Sequence, residues 1–416
     1  MANGPGARGF LVVTLCYQAF TLSDGALRML VLLHLQAAGQ TPLALALLLM
    51  PYEAAGIFTN LLGGWLGARF GQKPVLLTGL LLQVVACLML GTAPLWLTVP
   101  YVMATQVLSG VAKDLSKTAA KSYVRVLEPT ASPGALFRAV AVVTGSKNAM
   151  KGLGFFAGGA LLATAGFRST NVVLAALLAV MFVFAAWQLP RTTGKPQKSI
   201  TSMFAHDAAV NWLAAARLFL FGSRDAWFAV ALPLFLTTSW GWGSTAVGGF
   251  LAAWVIGYGA VQAAAPRLLP TTDLRKGTTR AMACTFGLLA PLALTWAGLQ
   301  QEQPSVWVAI GLCLYGVVFA LTSSLHSWLV VAIAGAEDTA ERVGFYYAAN
   351  AAGRLVGTLA SGWLFGMFGG GAPGLSMTVV IAAAAVICAG GTLLPTVLSR
   401  DRFALRPPGP ADRKNT

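Results

Sequence analysis

Apolar stretches long enough to cross a bilayer follow one another from residue 9 to residue 397, with little polar sequence between them. No other feature constrains the fold so strongly. A spanning helix needs about 20 mostly apolar residues, and the bilayer core offers backbone groups no partner but each other. Of the 416 residues, 57% are hydrophobic and 10% are charged, against roughly 25% charged in a soluble domain. So little charge cannot coat a core of this size, and the apolar surface must face lipid. The chain reads as an all-α integral membrane protein that crosses the bilayer many times.

The start, MANGPGARGF, runs into the first apolar stretch without a small-residue cleavage site, so it reads as a first transmembrane helix and not a signal peptide. Cys16, Cys87, Cys284, Cys313 and Cys388 each stand alone in a different apolar segment. Without CxxC or Cys/His spacing, neither disulfides nor a metal site nor a cofactor is expected.

Splitting the chain at Gly, Pro and charge clusters gives twelve helices, at about 9–36, 43–67, 74–91, 96–118, 136–164, 170–189, 209–237, 244–265, 280–299, 305–333, 342–368 and 374–397. The loops between them alternate. One set is basic: Arg69 and Lys73; Arg125 and Arg138; Arg191, Lys195 and Lys198; Arg267, Arg275, Lys276 and Arg280. The opposite set contains a single cation, Arg168. The positive-inside rule places the basic set and both termini in the cytoplasm. Topology therefore explains most of the formal net charge of +15, and no nucleic-acid partner is implied. The polar stretch after span six divides the chain into halves at 1–190 and 209–399, joined by a linker at 191–208 and followed by a tail at 400–416.

The halves resemble each other. A shift of about 201 positions lays Asp24 on Asp225. A shift of about 203 lays Lys147 on Asn350, Lys151 on Arg354, Gly154 on Gly357 and Gly159 on Gly362. Internal repeats with a site at their interface mark secondary transporters.

Charges inside the spans carry the functional argument. A charge at the bilayer centre costs at least ~2.5–3.5 kcal/mol on insertion scales, yet the spans hold Arg28, Lys113, Lys117, Lys147, Lys151, Arg217, Arg224 and Arg354 against Asp24, Glu53, Asp114 and Asp225. The cations outnumber the acids too far for internal pairing, so the surplus calls for water or an anionic ligand. Asp24 and Arg28, Lys113 and Lys117, Lys147 and Lys151, and Asn350 and Arg354 are i,i+4 pairs, each on one helix face. Arg217 and Arg224, seven apart, share a face too. The expected anion contacts form two clusters, Lys113, Lys147 and Lys151 in the first half and Arg217, Arg224 and Arg354 in the second, with Arg28, Lys117 and Asn350 beside them. Glu53 has no cation within four residues and, with Asp24, is a candidate for proton coupling; Asp114 and Asp225 are candidates for coupling or ion pairing. His34 and His326 sit in apolar contexts as hydrogen-bonded helix residues or as functional ones, a role that suits His326 more than His34.

GGWLGARFGQKP, between spans two and three, resembles the signature loop of the major facilitator superfamily, with Gly64, Arg69, Gly71 and Lys73 as its gating-loop residues and Ala68 where the family has an acid. That resemblance implies a central cavity lined by spans one, four, seven and ten, with five and eleven at its sides. Five blocks, AFTLSDGALRMLVLLHL, LSGVAKDLSKTAAKS, TGSKNAMKGLGFFAGGALL, AARLFLFGSRDAWFAVALP and GGFLAAWVIGYGAVQ, resemble organoarsenical efflux permeases of the ArsJ type. This closer resemblance implies a monomer in the bacterial inner membrane. It would export 1-arseno-3-phosphoglycerate in functional partnership with glyceraldehyde-3-phosphate dehydrogenase, and so confer arsenate resistance. Two readings within the superfamily stay open: an organic-phosphate antiporter, equally basic inside, and a proton-coupled multidrug exporter, which would have a mostly apolar cavity. An integral membrane enzyme would need a nucleophile–base pair or a metal cluster, and an arsenite carrier would need grouped thiols; the sequence offers neither.

Overall fold

The computed structural model describes residues 5–92, 97–127, 133–190, 208–269, 274–301, 306–334 and 339–398. The linker up to residue 207 and the tail lie outside them. The described chain forms α1 (Pro5–Ala37), α2 (Pro42–Phe70), α3 (Gln72–Thr92), α4 (Val99–Leu127) and α5 (Pro133–Gln188) in the first half. The second half contains α6 (Ala208–Phe228), α7 (Ala231–Thr238), α8 (Ser244–Leu268), α9 (Leu274–Gly287), α10 (Leu289–Leu299), α11 (Val306–Ala334), α12 (Thr339–Met367), α13 (Gly371–Gly391) and α14 (Leu394–Leu398). α6 continues into α7, α9 into α10, and α13 into α14.

Nine stretches of the described residues are long and apolar enough to cross a membrane. One of them, Ser146–Gln188, has 43 residues, or ~65 Å of helix, about twice the hydrocarbon thickness. It breaks at Gly166, whose φ of 77° is left-handed backbone that glycine adopts without penalty. Spans five and six therefore meet inside the gap the sequence predicts for them. α4 and α12 are not among the nine. They carry Lys113, Asp114, Lys117 and Arg354, and so belong in a bilayer only if those charges face inward.

Helix packing repeats between the halves. A Cβ on Gly154 of α5 would lie 2.3 Å from the Leu22 carbonyl of α1; one on Gly357 of α12 would lie 2.6 Å from the Gly222 carbonyl of α6. Five residues on in each half, Gly159 abuts the Ser244 carbonyl of α8 and Gly362 the Pro42 carbonyl of α2, both at 2.3 Å. Glycine lets backbones touch where no side chain fits, and close packing drives helix association in lipid. The first pair builds each half and the second joins the halves. Further contacts between halves run from Gln36 to Thr237 and from Asn148 to Gln262, the latter at 2.9 Å.

Outward-facing side chains are apolar, including Phe58, Val183 and Val356. Trp187 and Trp307, 80% and 57% exposed, lie near helix ends, where an amphipathic ring suits the lipid–water boundary. Cys16 and Cys87 are buried in helix packing, whereas Cys313 and Cys388 are exposed.

Candidate functional site

Glu53 organises the centre of the bundle. It lies two residues beyond Pro51 inside α2 and is 1% exposed. Although isolated in sequence, it is surrounded in space: Arg28 of α1 and Arg354 of α12 donate to its Oε1 at 3.1 and 2.5 Å, and Lys113 of α4 stands 3.8 Å from Oε2. Four helices from both halves thus converge on one carboxylate, and Glu53 is an ion-pair hub. Sequence proximity missed this because every one of its partners lies at least 25 residues away.

Arg354 bridges the halves. Its Nη2 binds Glu53, and its Nε donates to Asp225 Oδ2 of α6 at 3.1 Å. Arg224 holds the other oxygen of Asp225 from Nε at 2.6 Å, while its guanidinium lies over Phe221 and Phe319 at 4.9 and 5.5 Å. A planar guanidinium can serve two carboxylates at once, as an ammonium cannot with the same geometry.

On the α4 side, buried Asp114 pairs with Lys117 and stands 3.9 Å from Lys113. Lys117 also donates to Asn60 Oδ1 at 2.5 Å, so its head group turns into the bundle. Asp24 accepts a hydrogen bond from Tyr52, leaving Arg28 to reach Glu53. The Tyr52 ring also lies beneath the Lys113 ammonium at 3.9 Å. Tyr52 escaped sequence reasoning because an aromatic residue in an apolar span has no distinguishing mark there. Asp24, Leu27, Arg28, Leu49, Tyr52, Gln106 and Ser109 line a small cavity in this region.

Lys151 differs from the rest. It has no hydrogen bond or ion pair among the described residues, and the Phe155 ring lies 5.6 Å from its ammonium. Its electrostatic neighbours are Arg354, Asp24, Arg28 and Glu53. Among the described residues the central group therefore sets six basic side chains (Arg28, Lys113, Lys117, Lys151, Arg224 and Arg354) against four carboxylates (Asp24, Glu53, Asp114 and Asp225), two more basic groups than acidic ones. Lys147 is half-buried one turn earlier on α5.

The expected two clusters, one per half, do not form. Arg354 and Arg224 join the first-half cations around Glu53 and Asp225, whereas Arg217 stands apart beside Ser323 of α11. Asn350 lies one turn from Arg354, its Oδ1 buried without a partner among the described residues.

The signature-loop residues hold the helix ends. Gly64 falls within α2, and Gly71 turns the chain at φ 85°. Lys73 donates to the Ala186 and Leu189 carbonyls at 2.8 and 2.6 Å, satisfying acceptors that the end of α5 leaves open at the negative pole of that helix. Arg69 packs on Phe70 at 5.7 Å.

A helical bundle of two repeated halves, crossing the membrane many times and meeting on a charged centre, defines a secondary transporter. The family model of the Major Facilitator Superfamily matches residues 10–329, and the chain belongs to that superfamily. Among solved structures it is similar to a mutant of the nucleoside transporter NupG, with a TM-score of 0.70, 12% identity, and coverage of 94% of this chain and 99% of that one; this likeness concerns the fold. No curated protein matches the sequence at a significant level.

Proposed function

We propose that this transporter exports an organic arsenate ester, 1-arseno-3-phosphoglycerate, from the bacterial cytoplasm and so confers resistance to arsenate. The observation that carries this reading is the excess of two basic side chains over carboxylates at the junction of the halves, with Lys151 in no ion pair among the described residues. A desolvated cation is tolerable when an anion meets it, and a cargo with charge at both ends would use both surplus charges. The sequence blocks that resemble ArsJ-type permeases narrow the anion to the arsenate ester. In this reading glyceraldehyde-3-phosphate dehydrogenase makes the cargo inside the cell, and both termini face the cytoplasm of the inner membrane.

Alternating access follows from Arg354. It ties Glu53 in one half to Asp225 in the other, and an anionic cargo competes with those carboxylates for the same guanidinium. Cargo binding would loosen the bridge between the halves and free Glu53 to exchange a proton, which couples export to the proton gradient. Transport of an organic phosphate in exchange for another anion would use the same cations.

Growth tests the reading. Cells lacking other arsenic defences, given this protein and the dehydrogenase, should tolerate arsenate and gain nothing against arsenite. Equal protection against both would point to a direct arsenic carrier. Protection against neither, together with phosphate-ester uptake, would favour the organic-phosphate antiporter.

A further inference from the structure

We propose that Arg217, His326 and Tyr346 form a second oxyanion site, distinct from the central network, that takes a phosphoryl or arsenyl group. The choice of ligand class rests on the anion-transport reading above; the existence of the site rests on what surrounds these three side chains.

Arg217 of α6 is 4% exposed and forms no ion pair among the described residues. Its Nη1 donates to the Ser323 carbonyl and hydroxyl at 3.2 and 3.1 Å, whereas its Nε is buried without a partner among the described residues. His326, on the same face of α11 one turn beyond Ser323, is completely buried, and neither ring nitrogen has a hydrogen-bond partner among the described residues. Of the two roles the sequence left open for His326, the absence of a hydrogen bond among the described residues favours the functional one. Tyr346 of α12 is also completely buried, its hydroxyl facing Ser327, which itself donates to the Ser323 carbonyl at 2.8 Å. Its ring lies 5.1 Å from the Arg217 guanidinium, and the Phe221 ring lies 4.0 Å away.

These observations share one deficit. The aromatic faces attract the guanidinium but carry no net counter-charge, and the Ser323 carbonyl satisfies only one of its nitrogens. Water could fill the open hydrogen bonds without neutralising the charge. A tetrahedral oxyanion does both: it accepts from Arg217 in the forked geometry that guanidinium favours and from the His326 N–H and the Tyr346 hydroxyl. Arg217 lies seven residues before Arg224, or ~10 Å along α6, so the site is separate from the central network. Tyr346, Asn350 and Arg354 follow at successive turns of α12 and connect the two.

The same chemistry admits two sources, the far end of an organic cargo or free inorganic phosphate. Equilibrium binding of radiolabelled inorganic phosphate to the purified full-length protein in detergent tests the site. Wild type should bind two phosphates per chain. Arg217→Gln should remove one, and His326→Gln and Tyr346→Phe, which keep the buried charge and are milder for folding, should weaken that same one at least tenfold. Lys151→Met should remove only the other. If one molecule of 3-phosphoglycerate then releases both phosphates, the site receives one end of an organic cargo; if it releases only the central one, the site takes free phosphate. Folded His326→Gln and Tyr346→Phe proteins that bind phosphate as wild type does, or a wild type with no phosphate sensitive to these positions, would overturn the site. Loss of transport in Lys151→Met reports separately on the central reading.

Discussion

The two halves share a scaffold and differ in what lines it. Asp24 and Asp225, Lys151 and Arg354, and the paired glycines Gly154/Gly357 and Gly159/Gly362 occupy matching places. A shift of about 202 residues also lays Tyr52 on Trp254, Lys113 on Tyr315 and Lys117 on Phe319. The first half therefore presents an ionic wall built on α2 and α4. The second presents aromatic rings: Trp227, Trp254, Tyr258, Tyr315 and Phe319 contact one another with centroids 5.2–5.9 Å apart. Two of their polar ends are tied inward, Trp254 Nε1 to the Leu312 carbonyl and Tyr315 to Ser223, each at 2.8 Å. Positions where backbones touch tolerate one residue type and so keep the repeat visible. Positions that face the centre are free to specialise: both halves supply charge to the central network, and the second half adds an aromatic frame where the first has Tyr52, Lys113 and Lys117.

The largest expected effect breaks the element common to both walls. Arg354→Met leaves Glu53 and Asp225 each short of a partner; breaking a buried pair costs ~3–5 kcal/mol. Its thermal midpoint in detergent should fall sharply and transport should be abolished. Adding Glu53→Gln to that variant should recover part of the stability without restoring transport. An unchanged midpoint for Arg354→Met would show that the bridge does not hold the halves together.

Next comes the first half's lysine on α5, beside the ionic wall. Lys151→Met removes a charge with no carboxylate partner, so the protein should fold with equal or higher stability while transport falls at least tenfold. That loss matches the ~1.5–3 kcal/mol of one charge-assisted hydrogen bond at ~1.4 kcal/mol per decade. Lys151→Arg should retain part of the activity. A Lys151→Met protein that transports normally but melts early would make this lysine structural.

The aromatic wall should respond in the opposite way. Trp254→Leu should cost ~2–4 kcal/mol of stability, by analogy with large-to-small core changes, with a smaller change in substrate affinity than Lys151→Met. Ligand-binding titrations beside thermal melts would separate the two walls; a larger affinity loss in Trp254→Leu would reverse their assigned roles. Smallest of all, Lys73→Met should cost ~1 kcal/mol through the lost cap on α5 and leave binding unchanged.

How much of this was legible in the sequence follows from the same distinction. Spans, halves and the break near Gly166 could be read because they depend on local pattern: apolar length, loop charge and glycine. The pairing of Lys151 with Arg354 by sequence shift also placed both on matching helices. The network itself could not be read. Glu53 meets Arg354 301 residues away, and nothing local to Glu53 announces three cations. Tyr52 was overlooked for the same reason, since it donates to Asp24 across helices, and the choice between the two roles left open for His326 depends on what α6 and α12 place around it. Arg217 was grouped with Arg224 on the strength of a shared helix face, but a shared face does not bring side chains together across seven residues.

The central claim is that the surplus positive charge at the junction of the halves moves an arsenate ester. Everted membrane vesicles carrying the protein, supplied with glyceraldehyde-3-phosphate, NAD, arsenate and glyceraldehyde-3-phosphate dehydrogenase, put that claim to its most direct test through the arsenic they accumulate. The account predicts accumulation that requires the dehydrogenase, fails with arsenite, and drops at least tenfold in Lys151→Met. Accumulation that proceeds without the dehydrogenase, or is undiminished in the folded Lys151→Met protein, would contradict it.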